Sequence, residues 1–128
     1  MDKPYYNLCD QLCRSNGWAL GQDKGEMVVG VPQADGSQVS IVINDFQDAT
    51  GQFAMRFWTP VCMATQLPAE QAVQLNWQLP QGCLANREGQ IVLTSTRLLN
   101  MTNQADLTHL LNTLAYYGAF YAGHYSGG

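Results

Sequence analysis

The sequence predicts an α+β fold in the order α-β-β-β-α-β-β-α: an antiparallel sheet packed by helices, one domain spanning residues 1–128. Three observations predict it. Apolar residues recur at helical spacing near the start, in the middle and at the end of the chain. Between these stretches lie short runs of strict alternation. Asp-Gly, Gly and Pro punctuation separates the two kinds of segment. A chain of this length is one domain by size and buries roughly two thirds of its unfolded surface, enough for a core without staples.

The first helix is expected over residues 2–16. Asp2 can cap it, Pro4 suits the first turn and Gly17 stands where a left-handed stop belongs. Tyr5, Leu8, Cys9 and Leu12 form its apolar stripe, against Asn7, Asp10, Gln11 and Arg14. Trp18 and Leu20 then lead into a polar turn from Gly21 to Gly25. The first strand, Met27 to Val31, stops at Pro32, and Asp35-Gly36 signals a hairpin. The second, Gln38 to Phe46, sets Val39, Ile41 and Ile43 against Gln38, Ser40 and Asn44. After a turn at Asp48-Ala49-Thr50-Gly51, the third sets Phe53, Met55 and Phe57 against Ala54, Arg56 and Trp58. Pro60 limits that strand or places its end at an edge.

Leu67-Pro68-Ala69-Glu70 opens the second helix. Ala72, Val73, Asn76, Trp77 and Leu79 are expected on its inner side, and Pro80 closes it. Trp77 reads as a core residue before it reads as a contact to a second copy. Gly82 turns the chain, Cys83–Ala85 is a short strand, residues 86–90 turn, and Ile91 to Leu98 is the fifth strand. Asn103, three residues before Asp106, resembles a cap. Leu107, Leu110, Leu111, Leu114, Gly118 and Tyr121 then make the clearest amphipathic segment in the chain. Its second half carries Tyr116, Tyr117, Phe120, Tyr121 and Tyr125, read first as core and second as a platform for a small ligand. Ser126-Gly127-Gly128 is a frayed tail.

Composition narrows the function. Hydrophobic residues make up 46% and charged residues 12%, well under the roughly 25% charge of an ordinary domain. Such a sparsely charged surface points to coverage by self-association. A net charge of −4, with six scattered Lys and Arg, argues against a nucleic-acid partner. Met1-Asp2-Lys3-Pro4 begins no secretory signal, and no apolar run approaches the roughly 20 residues of a membrane span, so a cytoplasmic location is expected. Cys9 and Cys13, four apart on one helix face, have poor geometry for a bridge. With His109 and His124 they do not match a usual zinc spacing. Cys9, Cys13, Cys62 and Cys83 are therefore expected as buried free thiols, with no cofactor or metal.

Catalytic signatures are missing. Both His fall on the final helix, and no Ser or Cys sits in a nucleophile elbow. Gly21-Gln22-Asp23-Lys24-Gly25 lacks phosphate-loop spacing. Asp45 and Asp48 are assigned to a turn. The expectation is a chain that is not an enzyme.

Ala72-Val73-Gln74-Leu75-Asn76, Leu79-Pro80-Gln81-Gly82-Cys83-Leu84, Gly89-Gln90-Ile91-Val92-Leu93 and the Leu-rich last helix resemble class I type III secretion chaperones (the Tir chaperone family) and the related YbjN-like proteins. The shared elements are an Asn late in the second helix, a short strand, a Gly-containing turn, an apolar strand and a long amphipathic helix. The resemblance implies a non-catalytic, cytoplasmic homodimer that holds an extended segment of a secreted effector. It implies client contacts from Tyr5, Cys9, Met27 and Val29, and a dimer interface from Val73, Trp77 and Leu84. The alternatives are a YbjN-like regulatory module with another protein partner, and a small-ligand binder using the aromatic last helix.

Overall fold

A computed structural model describes residues 4–126. Helix α1 (Pro4–Asn16) ends as its sequence dictates: Gly17 takes φ +69°, and the Trp18 N–H reaches back to the Cys13 carbonyl at 2.9 Å. The expected cap Asp2 lies outside the described residues, as do Gly127 and Gly128 of the tail. Four strands follow, β1 (Ala19–Asp23), β2 (Glu26–Pro32), β3 (Gln38–Gln47) and β4 (Phe53–Met63). Then come α2 (Ala69–Asn76), β5 (Cys83–Arg87), β6 (Gln90–Leu98), a 3-10 turn (Leu99–Met101) and α3 (Gln104–Tyr125). The fold is α+β, with three helices and one antiparallel sheet in the order β1-β2-β3-β4-β6-β5.

The sheet has one strand more than the sequence pattern suggests. Residues expected as a polar turn form β1 and its hairpin to β2, with Lys24 at φ +52° and Gly25 at φ +82° in the two-residue turn. Its mostly exposed sequence, Ala-Leu-Gly-Gln-Asp, carries no alternation because an end strand needs no buried face. Glu88 and Gly89 repeat the same turn between β5 and β6, carrying β5 through Asn86 and Arg87, which were expected as turn. Asp45, also expected in a turn, lies within β3.

Pro60 does not end its strand. β4 continues to Met63 in the middle of the sheet, with an irregular register between Pro60 and Cys62 against β6. Its pairing with β3 stops at Val42–Trp58, so Pro60 falls where one side of the strand has no ladder to serve. A residue without an N–H is tolerated there.

All three helices lie on one side of the sheet. α3 crosses its centre, α1 packs beside α3 on the β1 side, and α2 lies against β5. Met27, Val29, Ile41, Ile43, Met55, Phe57 and Leu93 face the helices. α3 answers with Leu107, Leu110, Leu111, Leu114 and Tyr121, the residues its periodicity selects, and Asn103 caps it by accepting from the Asp106 N–H at 2.9 Å. Gly118 allows a close approach: a Cβ there would stand 2.8 Å from the Thr59 methyl.

Candidate functional site

The short helix α2 presents little to the core. Ala72 is its one buried residue. Val73 is 68% exposed and Trp77 is 92% exposed. Both were expected on the inner side, and the reason for the correction is geometric. α2 rests on the last strand of the sheet rather than over its centre, so only a narrow strip of the helix meets protein. Val73 and Trp77 stand four residues apart, on one outward strip.

Beside that strip runs an apolar groove of about 240 Å³ between α2 and β5, lined by Leu67, Ala69, Ala72, Val73, Leu84 and Ile91 among others. Asn76 fixes its geometry. The Leu84 N–H donates to Asn76 Oδ1 at 2.6 Å, and Asn76 Nδ2 donates to the Leu84 carbonyl at 3.3 Å. The side-chain amide thereby takes the place of a neighbouring strand at one residue of the sheet edge. In this ladder the Asn86 backbone groups also point away from β6, as the alternation of an antiparallel pair requires. An Asn late in the second helix belongs to the sequence resemblance, and this clamp is its structural role.

A second concavity, about 270 Å³, lies between α2 and the aromatic half of α3. Leu75, Gln78, Tyr117, Phe120, Tyr121 and His124 line it, and Gln71 Nε2 donates to the Tyr125 hydroxyl at 3.1 Å. Burial, reinforced by Tyr117 and Tyr125, pushes the Tyr121 hydroxyl pKa up. Tyr116 points outward, edge-on to Tyr117. The crevice is open to solvent, unlike the enclosed, polar-centred pocket typical of small-molecule sites.

The residues that the resemblance assigns to a client sit elsewhere. Tyr5, Cys9, Met27 and Val29 are all core residues, 3% exposed or less. α1 folds down onto the sheet beside α3, so its apolar stripe is consumed inside the chain. Of the residues assigned to a dimer interface, Val73 and Trp77 are free-standing on the surface. Leu84 is buried under α2 at the groove wall.

The cysteines divide three to one. Cys9, Cys13 and Cys62 are buried, and desolvation raises each thiol, Cys9 to about 12. Cys83 is exposed at the start of β5, contrary to the expectation that all four are buried, because it stands on the helix-free side of an end strand. Among the described residues no helix is long and apolar enough to cross a membrane. No protein-family model and no curated protein matches the chain.

Proposed function

We propose that the chain is a non-enzymatic polypeptide-binding protein of the secretion-chaperone type. It acts in the cytoplasm as a homodimer and holds an extended segment of a secreted effector or of another protein partner. One observation carries the reading: an indole almost wholly in solvent, next to an exposed valine and an apolar groove along a terminal strand. Isolated apolar residues on a surface are ordinary, but a Trp, a Val and a groove in one strip mark an interaction surface. In a self-association the strips of two copies meet about a two-fold axis, each Trp77 entering the other's groove. An extended segment is held by the same means, with side chains in apolar hollows and backbone on a sheet edge.

Light scattering tests the dimer. The wild type should show about twice the 14.1 kDa of one chain. Trp77→Ala should weaken the association by roughly 30-fold or more, the loss of about 2 kcal/mol typical of an aromatic anchor. A wild type that keeps the mass of one chain at high concentration, and retains no extended peptide in pull-downs, ends the proposal.

A further inference from the structure

The helix-free face of the sheet holds two arginines with no ionic partner. Arg56, on β4, lies with its guanidinium carbon 4.2 Å from the centroid of the Phe46 ring. Arg87, on β5, reaches across Val92 to stack on Trp58 at 4.5 Å. The one ion pair among the described residues is Asp10–Arg14 on α1, so neither of these cations is neutralised by a carboxylate. In a chain of net charge −4 with only six basic residues, two unpaired arginines on one face stand out.

Stacking on an aromatic ring fixes the guanidinium plane but occupies none of its N–H groups. Both arginines are exposed, and a guanidinium can bind a carboxylate through two parallel hydrogen bonds. Between them lies a hollow of about 340 Å³ lined by Asn44, Arg56, Trp58, Arg87, Val92 and Thr94. Asn44 donates to Glu26 at 2.8 Å, while its Oδ1 is buried with no hydrogen-bond partner.

We propose that this face is a subsite for the acidic side chains of an extended peptide segment. Two features select that occupant. Neither guanidinium has a carboxylate partner among the described residues, so the face complements negative charge. The hollow is open to solvent rather than enclosed, so it suits a passing chain better than a small acid buried whole. Nucleic acid would need many more cations than two. The proposal rests on the polypeptide-binding reading and adds the chemistry of the segment bound.

The test uses the full chain labelled with 15N, whose three tryptophans, Trp18, Trp58 and Trp77, give separate indole N–H signals. It is titrated with a short peptide alternating Glu and Thr, with the same peptide carrying Gln for Glu, and with glutarate alone. The Glu peptide should shift the Trp58 signal, bind more weakly as salt rises, and lose about tenfold or more in affinity in the double variant Arg56→Gln/Arg87→Gln. If the Gln peptide binds equally well, the carboxylate subsite falls while peptide binding stands. If neither peptide shifts any indole, both readings fall. Glutarate binding as tightly as the peptide overturns the proposal in favour of a small-molecule site. Should the double variant fail to fold, the difference between Glu and Gln peptides on the wild type decides.

Discussion

Gly82→Ala is a test of how β5 and the groove are held in place. Gly82 has φ +78°, and a Cβ on it would lie 2.8 Å from the Thr94 carbonyl oxygen and 3.0 Å from a Leu114 methyl. The first obstacle is backbone of the neighbouring strand, which cannot rotate away. A positive φ costs an L-residue about 1–2 kcal/mol, and forcing an extra carbon into a packed site adds about 1–3 kcal/mol. Gly36→Ala is the matched control: its φ is +89°, but nothing lies within 4 Å of the position a Cβ would take. That variant should show the backbone cost alone. Both substitutions remove the same chain entropy from the unfolded state, so that contribution cancels between them. The difference, about 1–3 kcal/mol, should appear in urea unfolding at 25 °C as a midpoint lower by about 1 M in Gly82→Ala. Equal midpoints would refute the close approach and, with it, the account of how β5 is seated.

Three further outcomes are expected. Cys83 should react with a thiol reagent in the folded protein while Cys9 and Cys13 stay silent, and the fold should weaken in alkali. Because burial raises the folded Cys9 thiol from 9.0 to about 12, its contribution is complete below about pH 9 and is lost as pH climbs towards 12. At pH 10 roughly 1 kcal/mol should be gone, with Tyr5 and Cys13 acting in the same direction. Urea midpoints that do not change between pH 8 and pH 10 would contradict this. Asn76→Ala should cost about 1–3 kcal/mol by stranding the Leu84 backbone groups, and should speed hydrogen exchange at the Leu84 amide. Unchanged exchange there would show that the clamp holds nothing.

The elements that were legible in the sequence are those whose signal is local and repeated. α3 buries the residues its spacing selects, and Gly17 and Asn103 mark helix ends because each satisfies or ends a backbone ladder by itself. β1 was illegible because a mostly exposed end strand, with only Leu20 partly covered, needs no alternation. Val73 and Trp77 misled for a related reason. Apolar identity states that a residue prefers to leave water, not whether its own chain provides the cover. The open-face arginines gave no motif at all. Arg87 and Trp58 meet only because β6 pairs with β4 on one side and β5 on the other, a neighbourhood that exists in the sheet and nowhere along the chain.

The order of the strands also dictates a hazard during synthesis. The first four strands are complete at Met63, but the helix that covers their inner face begins at Gln104. At ribosomal speeds of about 5–20 residues per second, that gap lasts roughly 2 to 8 seconds. Throughout it Ile41, Ile43, Met55 and Phe57, all of them sealed in the finished protein, form an uncovered greasy sheet whose β4 edge still awaits β6. The nascent chain therefore passes through a stage in which it needs the same shelter that the finished fold is proposed to give to others.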